Sequence, residues 1–158
     1  MLGLDIEVKL RYRKMVPDDF SAALAVRMST IENAINMEEL ERDYDITPRS
    51  LAEAMTTHVA GWLCEDFGTV VGFSMGDRSN GEVQVVAVCP EYEGFGIGRH
   101  LLYRVQEWLF SEGHKEIWLR SNPDPTIRAH GFYRRLGWQP TGRMYGDDEV
   151  LAFRAAEA

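Results

Sequence analysis

Three glycines at alternate positions, Gly94, Gly96 and Gly98, lie between a valine-rich run ending at Val88 and an amphipathic stretch beginning at Ile97. Glycine allows positive φ and lets the backbone come close to a ligand. The first turn of a helix adds unpaired N–H groups and the positive end of the helix dipole. A strand, a glycine-dense loop and a helix start, in that order, make a cradle suited to a pyrophosphate. Arg99 adds a positive charge at its rim. The spacing Gly-x-Gly-x-Gly brings the third glycine one residue too early for the dinucleotide fingerprint, and no Gly-Lys-Ser/Thr follows, which excludes a nucleotide P-loop. Cys89 lies beside this loop, but the residues after it include Glu91 and Glu93, and a reactive thiolate needs electropositive surroundings.

The elements that must hold the loop can be read from hydrophobic periodicity. Val8 to Lys14 alternates like an edge strand. Pro17-Asp18-Asp19 opens a helix, with proline early and acids in its first turn, and Ala22 to Met28 is its apolar body. Residues Ile31 to Asp45 have helix-like apolar spacing among many acids. Thr47 is the expected N-cap of a short helix running to Met55. Val59 to Glu65, Val70 to Gly76 and Glu82 to Val88 read as successive strands separated by turns. The last is apolar enough to suggest cover on both faces. After the glycines, Ile97, Leu101, Val105, Trp108 and Leu109 share one helical stripe, and Gly113 stops it. Lys115 to Arg120 is a strand. Asp124 and Pro125 are placed to open a further helix with Ala129, Phe132, Tyr133 and Leu136 inward and Gly137 at its end. Strands near Gln139 to Tyr145 and Glu149 to Arg154 close the chain. The order β-α-α-α-β-β-β-α-β-α-β-β predicts a three-layer α/β domain with a mixed sheet.

The 158 residues suit one domain, 1–158, with a full core. No apolar run is long enough to cross a bilayer, and the first residues lack the apolar core of a signal peptide, so a cytoplasmic protein is expected, with no membrane partner. Two cysteines, Cys64 and Cys89, are too few for a disulfide framework and cannot alone complete a zinc site; no metal is expected. The net charge of −8 argues against nucleic acid, which requires a positive field, and suits a cationic or neutral partner.

The segment Val88-Cys89-Pro90-Glu91-Tyr92-Glu93-Gly94-Phe95-Gly96-Ile97-Gly98 resembles the coenzyme A loop of the GCN5-related N-acetyltransferase (GNAT) superfamily, Arg/Gln-x-x-Gly-x-Gly/Ala, with Glu93 in place of the family's first residue. A second match runs from Thr126 to Trp138, where the family shows Asn-x-x-Ala-x-x-Phe-Tyr-x-x-x-Gly-Phe and Thr126 replaces the asparagine. The close resemblance covers roughly Gly81 to Trp138. It implies a three-layer α-β-α GNAT-type fold whose mostly antiparallel, twisted sheet splays between the fourth and fifth strands. It also implies acetyl-CoA as cosubstrate, held by Val86, Ala87, Val88, Glu93, Gly94, Phe95, Gly96, Ile97, Gly98, Arg99 and Thr126.

The activity implied is direct transfer of an acetyl group to a primary amine of a small molecule or peptide; the alternative is a non-catalytic acyl-CoA-binding module. In this reading the pantetheine arm pairs with backbone near Val86 and Val88, and the Val88 N–H stabilises the developing oxyanion. Tyr133 matches the family's general acid; a phenol of pKa about 10 stays protonated at neutral pH and can protonate a thiolate. The base is open between Glu82, His130 and His114. Glu82 is the first candidate, on the assumption that it shares strand parity with Gln84, Val86 and Val88. Acceptor specificity is expected from roughly Arg27 to His58 and Gly142 to Asp148, where Glu32, Glu38, Glu39, Glu41, Asp43, Asp45, Asp147 and Asp148 would attract a cationic amine. A homodimer is compatible with this reading.

Overall fold

The computed structural model describes residues 7–30 and 47–156. The expected helix over 31–45, and with it the acids Glu32 to Asp45, lies outside the described residues.

Among the described residues seven strands form one sheet: β1 (Leu10–Lys14), β2 (Val59–Asp66), β3 (Thr69–Asp77), β4 (Glu82–Val88), β5 (Glu116–Ser121), β6 (Gln139–Tyr145) and β7 (Asp148–Arg154). Their order is β1-β2-β3-β4-β5-β7-β6. All neighbouring pairs are antiparallel except β4 and β5. β1 is the edge strand expected from its alternation.

The helices are α1 (Phe20–Ser29), α2 (Pro48–Thr57), α3 (Ile97–Ser111) and α4 (Arg128–Arg135). α1 and α2 cover one face of the sheet. Ala23 and Val26 pack there with Met15, Val59, Leu63, Phe73, Met75 and Ala87, and with Leu51 and Met55 of α2. α3 and α4 cover the other face, where Ile97, Leu101, Leu102, Val105 and Leu109 join Trp62, Val83, Ile117, Leu119, Trp138 and Leu151, with Phe132, Tyr133 and Leu136 against them. Apolar groups from both faces of β4 enter these clusters, although Gln84 is exposed. Among the described residues no helix is long and apolar enough to cross a membrane. Cys64 and Cys89 are both free thiols, the first buried and the second half-buried.

Local signals account for most boundaries. The Thr47 side chain accepts from the Ser50 amide, 3.1 Å, and caps α2 as expected. Gly113 (φ 101°) and Gly137 (φ 97°) follow the ends of α3 and α4 in the left-handed conformation a C-terminal stop requires. Pro17–Asp19 open the helix as expected: they form a 3-10 first turn that runs directly into α1 at Phe20, and Asp19 accepts from the Val16 amide (2.8 Å) as a capping box does and from the Arg13 guanidinium (2.8 Å to each oxygen). One opening differs from expectation. Asp124 does not cap α4. Its carboxylate accepts from the Thr126 amide and hydroxyl in a tight turn, and the helix starts a turn later at Arg128, after Ile127.

The position of α3 depends on small residues in β3. A Cβ at Gly72 would lie 3.0 Å from Ile97 Cγ2, and one at Gly76 would lie 2.6 Å from Val105 Cγ1. Between them the buried Ser74 hydroxyl donates to the Leu101 carbonyl at 3.0 Å. Gly72, Ser74 and Gly76 share one face by strand alternation, so α3 settles close to the sheet and its N-terminus is set beside the end of β4.

Candidate active site

β4 and β5 share one paired position, Glu82 with Trp118, supported by Trp118 N–H donating to the Gly81 carbonyl at 3.1 Å. Beyond it the parallel strands separate. On its other edge β4 stays paired with β3 up to Val88, and the ladder continues with Cys89 N–H donating to Val71 at 2.9 Å. Since strand groups alternate in direction, the backbone N–H and C=O of Val88 and Val86 turn away from β3, toward the gap.

The gap opens into a groove of about 280 Å³ lined by Val86, Ala87, Val88, Tyr92, Glu93, Gly94, Gly96, Ile97, Gly98, Arg99, Arg128, Ala129, Phe132, Tyr133 and Thr30. Gly94 and Gly96 have φ of 91° and 77°, and a Cβ on either would meet no atom within 4 Å. A side chain on either would project into open space beside the groove. Gly98 is closer to the protein: its Cβ would stand 3.4 Å from Phe132 and 3.6 Å from Val88, so it joins β4, α3 and α4. The first internal bond of α3 is His100 N–H to Gly96 carbonyl, 3.1 Å. The amides of Ile97, Gly98 and Arg99 precede that bond and carry the helix's positive end. These groups fit an anionic diphosphate. A second hollow of about 430 Å³ adjoins the groove through Gly96 and Arg99 and reaches His100, Tyr103 and Gln106.

The remaining sequence candidates divide. Phe95 is 40% exposed, and neither it nor Thr126 lines the groove; the Thr126 hydroxyl donates to Asp124 at 2.8 Å. Glu93 forms an ion pair with Arg128, Nη1 to Oε2 2.5 Å, so the acid in the glycine loop faces a cation from α4. Arg128 was not singled out by sequence. The signal was there, as a basic residue at the third position of the second motif and an acid in the first, but pairing them required the fold.

Tyr133 lines the groove from α4. Its ring packs edge-on against Phe132 (5.1 Å) and Trp138 (6.1 Å). Burial pushes its phenol up to about 12, against a smaller opposing effect of the Arg27 charge. Glu82 does not line the groove; it is buried, 6% exposed, at the root of the gap, where β4 pairs with β5. Burial raises its carboxyl pKa, while the Arg120 charge and hydrogen bond (Nε to Oε2, 3.1 Å) oppose the shift. Arg120 in turn lies over the Tyr145 ring, 4.4 Å from its centroid, and ties β5 to the end of β6.

The parity assumed for Glu82 is corrected by a bulge. Met75 pairs with Val85 and Gly76 with Val83, leaving Gln84 as the extra residue. Val83 therefore packs in the same cluster as Val86 and Val88, and Glu82 belongs to the opposite face. Of the two histidines, His114 has its Nε2 2.5 Å from the Arg78 carbonyl, on the turn before β4. His130 is half-buried in α4, and neither lines the groove. Asp147 sits in the β6–β7 turn and Asp148 opens β7, where it pairs with Tyr145. Among the described residues no group of three His, Cys, Asp or Glu is disposed to hold a metal.

The family model described as "Acetyltransferase (GNAT) family" matches residues 25–138. Solved structures share the fold. The PaiA N-acetyltransferase of Thermoplasma acidophilum, in complex with coenzyme A, is 16% identical, covering 93% of this chain and 99% of that one, with a TM-score of 0.75. The ribosomal-protein-S18-alanine N-acetyltransferase of Escherichia coli is 17% identical over 95% and 96%, with a TM-score of 0.68. An aminoglycoside N-acetyltransferase, AAC(6')-Iy, in complex with CoA, is 19% identical over 90% and 96%, with a TM-score of 0.69.

Proposed function

Because the chain belongs to the GNAT acetyltransferase family, we propose that it binds acetyl-CoA in the β4–α3–α4 groove and directs its acetyl group onto a primary amine of a small molecule or peptide. The observation that carries this reading is the single paired position between β4 and β5. It leaves the Val86 and Val88 backbone facing a gap that runs into the glycine loop.

Acetyl-CoA supplies the thioester. The amides of Ile97, Gly98 and Arg99 receive its diphosphate, and the backbone of Val86 and Val88 pairs with the pantetheine amides as a further strand would. The Val88 N–H is aimed at the oxygen on which negative charge develops as the amine nitrogen attacks. As the carbon–nitrogen bond forms and the carbon–sulfur bond breaks, Tyr133 gives its proton to the departing sulfur. The raised pKa keeps that phenol protonated, and half-buried surroundings act in the same direction on a thiolate placed beside it.

Glu82 takes the amine proton. Strand rise puts it roughly 13 Å along β4 from Val86, so its relay runs through water. The hollow beyond Gly96 and Arg99 gives room for the rest of the coenzyme. Incubation with acetyl-CoA and a panel of polyamines, aminoglycosides and short peptides, with release of free thiol as the readout, tests the reading. Amine-dependent thiol release is expected. Tight coenzyme A binding with no turnover on any amine would replace the enzyme with a non-catalytic acyl-CoA-binding module.

A further inference from the structure

The groove's mouth is bridged by one ion pair. Glu93 caps the end of the 3-10 turn Pro90–Tyr92 and precedes Gly94; Arg128 is the first residue of α4; both line the groove, and they meet at 2.5 Å. Their side chains are 39% and 55% exposed, so water and salt weaken the attraction. Arg128 also stands at the positive end of its helix, where a cation is unfavourable unless an anion lies beside it. The Glu93 carboxylate supplies that anion, next to the glycine amides proposed to receive a diphosphate.

We propose that Glu93 and Arg128 form an exchangeable clasp, in which the Glu93 carboxylate holds Arg128 at the mouth until a diphosphate displaces it and takes the guanidinium. This rests on the coenzyme A reading of the groove. The planar guanidinium offers two parallel N–H donors that match a phosphate as well as a carboxylate. A diphosphate carries more charge than one carboxylate and sits in the field of α3 as well, so it wins the exchange. Glu93 is then a like charge beside the ligand and turns to solvent, which opposes binding. Arg128 is thus a cofactor-binding residue supplied by α4, and Glu93 sets how tightly the site closes.

Isothermal titration of the wild type, Arg128→Gln and Glu93→Gln with coenzyme A, and with acetylpantetheine, which lacks the diphosphate, tests the clasp. Arg128→Gln should weaken coenzyme A binding about tenfold or more, as expected for a lost charge-assisted hydrogen bond, and leave acetylpantetheine unchanged. Glu93→Gln should tighten coenzyme A binding by roughly threefold and also leave acetylpantetheine unchanged. Arg128→Gln with wild-type affinity, an equal loss for both ligands, or weaker coenzyme A binding by Glu93→Gln would each overturn the clasp and leave the cofactor reading standing. A wild type that binds no coenzyme A would overturn both. Thermal melting of each variant shows that the fold is kept.

Discussion

The Ser74 hydroxyl donates to the Leu101 carbonyl, 3.0 Å away, from the middle of a β3 face on which a Cβ at Gly72 or Gly76 would press on α3. Strand and helix are thereby held at short range, and the start of α3 is positioned beside the end of β4. Gly76→Ala forces Val105 to move and should destabilise the protein by about 1–3 kcal/mol. Ser74→Ala removes the bond alone and should cost about 1 kcal/mol. Denaturant unfolding of both variants measures this; equal stability of Gly76→Ala and the wild type would show that α3 is not seated by these glycines.

Gly96→Val should abolish coenzyme A binding. Its side chain would project into the open space beside the amides, at a φ of 77° that a β-branched residue resists. Backbone strain alone is controlled by Gly113→Ala, also at positive φ (101°) with open space around it but at the far end of α3. That variant should lose stability and keep wild-type affinity, read by titration.

Tyr133→Phe should keep the fold, since the ring contacts with Phe132 and Trp138 survive, and should lower kcat at least tenfold with coenzyme A affinity near that of the wild type. With the phenol pushed up to about 12, Tyr133 contributes no alkaline limb to the rate below about pH 11. Steady-state kinetics across pH measures both.

The pH profile should also report Glu82. A base must be ionised, and burial raises the Glu82 pKa, so the acid limb of kcat/KM should fall above the ordinary carboxylate range. Arg120 lowers that pKa, so Arg120→Gln should move the limb to still higher pH. Stability carries the opposite sign from an ordinary paired acid. The folded state favours protonated Glu82, so its contribution is present at low pH and is lost as pH rises through the folded pKa. In Glu82→Gln the acid limb should disappear and the stability profile should flatten there. An unchanged acid limb would remove Glu82 from the role of base.

Most elements were legible because the signals that set them are local. Period-two and period-3.6 patterns depend on neighbours a few residues apart, so β4 and β6 fall on their expected residues and the helix stripes face the core. Glycine and threonine act on their own backbone, so Gly113, Gly137 and the Thr47 cap mark real ends. Asp124 was harder to read because a short carboxylate has several local partners, and there the competing turn wins.

The chain's own residues determined a strand, a glycine loop and a helix start in the order that can receive a diphosphate, because φ preference, capping and hydrophobic period are properties of short segments. Only the tertiary structure decided that β7 enters between β5 and β6, that the Gln84 bulge turns Glu82 to the opposite face from Val86, and that Arg128 reaches Glu93. Each of these is a choice among distant partners, set by which surfaces the packed layers bring together.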